Sequence, residues 1–114
     1  MLNGDAYVKA FHLSPAATCV SSFEGRFIEV NESFCHLSGY RRDELIGRTA
    51  AELNLYEDPW DRNKVLALLQ HNGSLKEIKS RMVSKGGVVR DCLGRLELCD
   101  AGGKPAVLTM LLAQ

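Results

Sequence analysis

The chain has 114 residues, of which 46% are hydrophobic, and its 14 Lys and Arg residues balance its 14 Asp and Glu residues. A chain of this length and composition is expected to form one globular domain with a single core. The balanced charge disfavours a dedicated nucleic-acid binder, which normally carries an excess of basic residues. The sequence contains no apolar run near the roughly 20 residues of a membrane helix, and its first residues lack the pattern of a signal peptide.

The cysteines indicate a cellular compartment and argue against a metal site. Cys19, Cys35, Cys92 and Cys99 include no CxxC pair and no spacing typical of zinc ligands. Disulfides are rare in the cytosol. We therefore predict four reduced thiols, no metal and a cytoplasmic protein.

The N-terminal part predicts one helix followed by a hairpin. Ser14-Pro15 ends an amphipathic helical pattern, and Glu24-Gly25 forms a turn between two short strands. The predicted elements are a helix over residues 5–13 and strands over residues 17–23 and 26–30.

Short helices follow in the middle of the chain. Asn31 is a good N-cap, and Gly39 ends the helix that it starts. A single helical turn over residues 43–46 comes next. Thr49 stands three residues before Glu52, which is the spacing of a capping box, and starts another short helix.

One longer helix is expected after these. Its predicted start is Asp58-Pro59-Trp60-Asp61, with Asp58 as the N-cap and Pro59 at the first helical position. The helix ends at Asn72-Gly73. One face is apolar and consists of Val65, Leu66, Leu68 and Leu69.

The last part of the chain predicts three strands, over residues 75–84, 88–99 and 104–113. Gly86-Gly87 suits a two-residue hairpin turn that needs positive φ. The last strand is apolar on both faces, as a central strand is. The whole pattern predicts an α+β domain, in which short helices and one longer helix cover one face of a five-stranded antiparallel sheet, with an additional N-terminal helix.

Charge is distributed unevenly along the chain. Residues 43–61 contain six acidic residues and one basic residue, whereas residues 76–95 contain six basic residues and two acidic ones. Two interpretations stay open here: two solvated faces, or complementary patches that steer contact with another domain.

The segment 25–47, GRFIEVNESFCHLSGYRRDELIG, resembles the signature of the PAS domain family. In that family a strand ends in Asn, an aromatic residue follows three positions later, and Gly-Tyr and Glu-Leu-x-Gly come next. Here these positions are Asn31, Phe34, Gly39-Tyr40 and the segment 44–47. The resemblance implies a PAS-like fold over residues 1–114, with an N-terminal helix in 1–13 and a PAS core in 16–113. We expect most of these motif residues to build the fold rather than to carry chemistry.

The sequence also departs from the family pattern. Arg41 follows Gly-Tyr where a small residue is frequent, and the hairpin carries Gly86-Gly87 where Asp-Gly is common. The family's exit segment after the last strand is missing. We therefore expect a domain excised from a larger signalling protein.

The resemblance implies a sensor or interaction module that binds haem, a flavin, a small metabolite or nothing. A covalent-flavin photosensor needs a cysteine in the segment that here reads AAELNLYEDPWDR, and none is present. A haem sensor needs a histidine within residues 60–70, whereas His71 lies just beyond them. We therefore expect no cofactor or a small metabolite.

A ligand pocket would lie between the sheet and the longer helix, with Thr18 and Ser80 able to orient a ligand. The alternative is that the same side chains simply fill the core. The candidate lining residues are Thr18, Val20, Phe34, Leu37, Leu66, Leu69, Ile78, Met82, Cys92 and Leu96.

No Ser-His-Asp order, phosphate loop or metal pair appears, so we predict no enzyme activity in this domain. The resemblance implies a sensory and dimerisation domain of a bacterial sensor histidine kinase or diguanylate-cyclase-type regulator, with the parent chain's output domain as partner. The alternative is a ligand-free interaction module.

The apolar face of the N-terminal helix and the outer face of the last strand need to be covered by other apolar groups. We predict a homodimer through Tyr7, Val8, Phe11, Leu108 and Met110, with no nucleic-acid partner and no membrane insertion.

Overall fold

The computed structural model describes residues 4–58 and 61–114. Within them the helices are α1 (Gly4–Leu13), α2 (Glu32–Ser38), α3 (Arg42–Leu45), α4 (Ala50–Leu53) and α5 (Arg62–Asn72). The strands are β1 (Ala17–Ser22), β2 (Phe27–Val30), β3 (Ser74–Val83), β4 (Val89–Ala101) and β5 (Lys104–Ala113). This succession of elements confirms the predicted α+β class.

The five strands form one antiparallel sheet in the order β2-β1-β5-β4-β3. The first and last strands are therefore neighbours: Ala17 pairs with Leu111, and the pairing runs to Ser22 opposite Ala106. The central position of β5 explains why its sequence is apolar on both faces.

Helices α2 to α5 cover one face of the sheet, which we call the inner face, and two core clusters fill the space between them. In the larger cluster, Phe34 of α2 is fully buried and its ring lies 5.5 Å from that of Phe27, centroid to centroid. The smaller cluster lies beneath α5 and consists of Leu69, Leu96 and Val107, with half-buried neighbours. The opposite face of the sheet is called the outer face.

The buried side chain of Asn31 joins α1, β1 and α2. Its Oδ1 accepts hydrogen bonds from the backbone N–H groups of Thr18 and Phe34, both at 2.9 Å. Its Nδ2 donates to the carbonyl oxygens of Phe11 and Ala16, also at 2.9 Å. Asn31 is thus the predicted N-cap of α2, and it also fixes the end of α1 to the start of β1.

Helix α5 begins later than predicted. Its N-cap is Asp61 rather than Asp58, because Asp61 Oδ1 accepts the N–H groups of Asn63 at 3.1 Å and Lys64 at 3.3 Å. Arg62, the first helical residue, is held by hydrogen bonds to the β1–β2 turn. The prediction for residues 59–60 lies outside the described residues.

The apolar face of α5 is narrower than predicted. Leu69 is fully buried, and Val65 and Leu66 are half-buried. Leu68, however, is 49% exposed and lies away from the core. The helix ends at Asn72 and Gly73 follows as its C-cap, as predicted.

The β3–β4 turn has three residues rather than the predicted two. The N–H of Ser84 donates to the carbonyl of Val88, and the N–H of Gly87 donates to the carbonyl of Ser84, both at 2.9 Å. Gly87 has a φ of +86°, whereas Gly86 does not have a positive φ. This is the pattern of a type I turn followed by a left-handed residue, so Lys85 belongs to the turn as well.

Residues of the acidic segment 43–61 form ion pairs with residues of the basic segment 76–95 in the same chain. Lys85 Nζ lies 2.6 Å from Glu44 Oε2, and Arg81 Nη1 lies 3.0 Å from Glu57 Oε1. Exposed pairs of this kind each contribute less than about 1 kcal/mol. The two charged segments therefore partly complement each other within the chain.

Asn31→Ala should lower the free energy of unfolding by about 2–6 kcal/mol, because it removes the four hydrogen bonds of this buried side chain, each worth about 0.5–1.5 kcal/mol. Urea denaturation followed by circular dichroism measures the change. Ser33→Ala is the matched control, since Ser33 Oγ makes one bond from α2 to the Ser14 carbonyl. A loss for Asn31→Ala no larger than for the control would contradict this role.

Leu69→Ala should destabilise the domain by about 2–5 kcal/mol through the cavity that it leaves. Leu68→Ala should change the free energy of unfolding by less than about 1 kcal/mol, because that side chain is on the exposed side of α5. The same denaturation experiment compares the two variants. Equal losses would show that the helix is rotated relative to its position here.

Candidate functional site

A cavity of about 240 Å³ lies between the inner face of the sheet and the beginnings of α4 and α5. Strands β1, β4 and β5 form its floor, α5 forms a wall, and the β1–β2 turn lies at its rim. The apolar lining consists of Phe27, Ala50, Ala51, Val65, Leu66, Leu96 and Val107. The polar lining consists of Cys19, Ser21, Glu24, Thr49, Tyr56, Arg62 and Thr109, with Gly25 beside them.

Arg62 brings a guanidinium group to this cavity. Its Nε donates to the carbonyl of Phe23 at 3.0 Å, and its Nη2 donates to the carbonyl of Ser22 at 2.5 Å and to Ser21 Oγ at 3.3 Å. The side chain is half-buried, and burial lowers the pKa of Arg62, as expected for a cation partly removed from water. The hydrogen bonds fix the guanidinium against the β1–β2 turn.

Gly25 is required where the turn passes Arg62. Its φ is +95°, a conformation that side chains rarely adopt. A Cβ at this position would also lie 3.3 Å from Arg62 Nε. The turn and the arginine therefore depend on the same glycine.

The thiol and phenol groups of the cavity are neutral. Cys19 and Thr109 are paired across β1 and β5. Burial raises the pKa of Cys19 to about 12, although a hydrogen bond with Thr109 opposes this. Burial also raises the pKa of Tyr56. Since the thiolate is the reactive form of cysteine, Cys19 is a poor nucleophile here.

The ten lining residues expected from the sequence fall into three groups. Leu66 and Leu96 line the cavity. A second group packs within the two core clusters or beside them and consists of Phe34, Leu37, Leu69, Ile78, Met82 and Cys92. Thr18 and Val20 instead point to the outer face, since they pair with Met110 and Leu108 while Cys19 and Ser21 line the cavity.

Ser80 is also placed away from the cavity lining. It pairs with Cys92 across β3 and β4. Its Oγ is buried and has no hydrogen-bond partner in the described part of the chain. Ser80 is half-buried, and it is not among the residues that line this cavity.

The main polar residue of the cavity, Arg62, was not singled out from the sequence. One signal was available: a basic residue in the first turn of a helix opposes the helix dipole. Such a placement suggests that the side chain has another partner. Ser21 and Thr109 gave no comparable signal, because their strands bury both faces.

The residues predicted to form a dimer interface lie on α1 and on the outer face. Tyr7 and Val8 are 59% and 57% exposed, and Met110 is 37% exposed. Phe11 is half-buried. Leu108 and Met110 line an open groove of about 730 Å³ on the outer face, together with Ala16, Lys76, Glu77, Leu93, Gly94, Arg95, Glu97 and Leu112.

Residues 4–58 and 61–114 contain no group of three or more His, Cys, Asp or Glu residues placed to hold a metal ion. Their helices are all too short or too polar to cross a membrane. The cysteines are free thiols.

A family model described as the PAS fold matches residues 5–112. No curated protein matches the chain. The PAS domain of an HTR-like protein from Haloarcula marismortui is similar, with a TM-score of 0.78 and 22% identity over 96% of this chain and 91% of that one.

Two other solved structures represent different parent proteins. The PAS domain of nitrogen regulation protein NR(II) from Vibrio parahaemolyticus has a TM-score of 0.78 and 11% identity, covering 93% of this chain and 95% of its own. The PAS domain of a LuxR-family transcriptional regulator from Burkholderia thailandensis, in complex with ethanol, has a TM-score of 0.71 and 19% identity, covering 94% of this chain and 96% of its own. Because these sequence identities are low, the structural similarity shows a shared fold and nothing further.

The buried thiol of Cys19 should make the domain less stable in alkali. Its pKa is about 12 in the folded chain and near the ordinary 9.0 when unfolded. Between these values only the unfolded chain releases the proton, so the free energy of unfolding should fall by up to about 1.4 kcal/mol per pH unit, with no effect below about pH 8. Denaturation by urea from pH 7 to pH 11 measures this slope.

Cys19→Ala should flatten the alkaline slope, leaving the part due to Tyr56 and to the other three cysteines, whose pKa values burial also raises. Cys99→Ala is the control and should flatten the slope less, because Cys99 is only half-buried and lies outside the cavity. Identical slopes for the natural chain and Cys19→Ala would contradict the raised pKa.

Proposed function

Since the chain belongs to the PAS family, whose model matches residues 5–112, we propose that it is the sensory and dimerisation domain of a bacterial signal-transduction protein in the cytoplasm. The parent is a sensor histidine kinase or a diguanylate-cyclase-type regulator, and this domain carries no catalytic residues of its own. The observation that carries the proposal is the exposed apolar surface on α1 and on the outer face.

The outer face supports self-association. Leu108, Met110 and Leu112 place apolar side chains along the central strand, and Tyr7 and Val8 expose more apolar surface on α1. Exposed apolar groups that lie together in this way commonly mark protein contacts. A second copy of the chain would cover the same surface on both molecules, as two-fold symmetry requires.

The cavity supports a small ligand. At about 240 Å³, it is smaller than the roughly 300–1,000 Å³ of pockets for drug-sized molecules. A haem or flavin group would not fit without displacing core side chains. The ethanol bound by the Burkholderia thailandensis domain gives a precedent for a small molecule in this fold.

The signal would pass through the sheet to the dimer. Cys19 and Ser21 contact the cavity, whereas the intervening Val20 faces the dimer surface. The carbonyl of Phe11 is bound by Asn31, whose amide also accepts the N–H of Thr18. A ligand that moves β1 therefore moves α1, and the two helices of a dimer would change their relative angle.

Phe11→Asp should convert a dimer into a folded monomer, because it places a charge in the proposed interface. Sedimentation velocity measures the change, and circular dichroism establishes that the variant is folded. Tyr7→Asp tests the same surface at a more exposed side chain, where the fold is at less risk. Both variants should weaken the dimer.

Val88→Asp is the matched control. Val88 is 54% exposed and directly follows the β3–β4 turn, far along the chain from α1. This variant should remain a dimer. A dimer unchanged in Phe11→Asp and Tyr7→Asp, or a natural chain that is monomeric, would rule out the proposed interface.

A further inference from the structure

We propose that the cavity binds a short-chain monocarboxylate, with its carboxylate on the guanidinium of Arg62 and its hydrocarbon end between α5 and the sheet. This inference rests on the proposed sensory function and gives that function a ligand class.

Arg62 differs from the other arginines in the described part of the chain. Six of them form ion pairs with carboxylates: Arg26, Arg41, Arg42, Arg48, Arg81 and Arg95. Arg90 forms none but is exposed to solvent. Arg62 is half-buried and yet has no direct ion pair among the described residues, although the exposed Glu24 carboxylate is near enough to favour its charge. A cation that is partly removed from water without a directly bound counter-ion is unfavourable, and a bound anion would supply that contact.

The guanidinium retains donors for such an anion. Its hydrogen bonds to described residues come from Nε and Nη2 and go to neutral oxygen atoms. Nη1 makes none within the described ranges. Because the other two nitrogens hold the group in place, Nη1 is pre-positioned to donate to a carboxylate, the acceptor that arginine binds best.

Two buried hydroxyl groups add to this polar corner. Ser21 is 5% exposed and Thr109 is 7% exposed, and both line the cavity. Ser21 Oγ accepts a hydrogen bond from Arg62, so its own proton remains available to a ligand. A carboxylate has two oxygen atoms and accepts from both kinds of donor.

The remaining lining and the volume of the cavity limit the polarity and the size of the ligand. The rest of the lining is mostly apolar and includes Val65, Leu66, Leu96 and Val107. A volume of about 240 Å³ equals roughly eight water molecules at 30 Å³ each, which suits an acid of about four to six carbons. The ligand therefore has one charged end and one short apolar end.

Glu24 at the rim selects against a second negative charge. It lines the same cavity, and hydrogen bonds, chiefly with its own backbone, lower the pKa of its carboxyl group. Glu24 is therefore ionised at neutral pH. It would repel the second carboxylate of a dicarboxylic acid, which makes a monocarboxylate the better ligand.

Isothermal titration calorimetry of the chain tests this with butyrate and isovalerate against their neutral isosteres, butyramide and isovaleramide. The acids should bind at least tenfold more tightly than the amides, because charge-assisted hydrogen bonds are the stronger kind. Succinate should bind more weakly than butyrate, and Glu24→Gln should narrow that difference.

Substitutions distinguish a loss of ligand binding from a loss of folding. Arg62→Gln should weaken butyrate binding at least tenfold, whereas Arg90→Gln should leave it unchanged. Because Arg62 also holds the β1–β2 turn, Thr109→Val provides a second test: it keeps the shape of the side chain, removes one hydroxyl, and should weaken binding several-fold in a folded protein.

Equal affinity for acid and amide, full binding by Arg62→Gln, or no binding of either acid at a detection limit of about 1 mM would each overturn the inference. Any of these results would leave the proposed sensory and dimerisation function standing, because that function is tested separately. The dimer and its response to Tyr7→Asp do not depend on the acid, so a dimer without acid binding would remove the ligand class alone.

Discussion

The side-chain amide of Asn31 is the interaction on which the domain's arrangement depends. Its oxygen accepts from β1 and from the first turn of α2, and its nitrogen donates to the end of α1 and to the start of β1. The group is fully buried, so an unmet donor or acceptor there would cost more than an exposed one. Because both polar atoms are satisfied only when all of these segments are in place, one side chain makes their positions mutually dependent.

Elements with strong local signals were predicted well from the sequence. Asn31 and Gly39 delimit α2, and Thr49 caps α4, because caps and left-handed residues act over one turn of chain. The start of α5 was misplaced because Asp58 and Asp61 are both good caps. The choice between them depends on Arg62 and its contacts with a distant turn, which a local pattern does not contain.

The candidate site was less predictable than the fold. Strand β1 reads Ala-Thr-Cys-Val-Ser-Ser, and these six small or medium side chains give no clear polar face. Thr18 is as deeply buried as Cys19, so alternation could not tell which set lines the cavity. Most of the other expected lining residues lie in the two core clusters or beside them. Which interior residues touch an open space depends on how the core packs, and Phe34 and Met82 are fully buried in the larger cluster instead.

The pairing of β1 with β5 also determines how the domain would respond to mechanical load. Ala17 at the start of β1 lies opposite Leu111 near the end of β5, so chain segments entering and leaving the sheet do so side by side. Hydrogen bonds between antiparallel strands run perpendicular to them. Tension that pulls these two ends apart therefore acts along the hydrogen bonds between β1 and β5. It breaks these bonds one pair at a time instead of loading all of them at once. A domain tethered at these points would open at low force from the centre of its sheet.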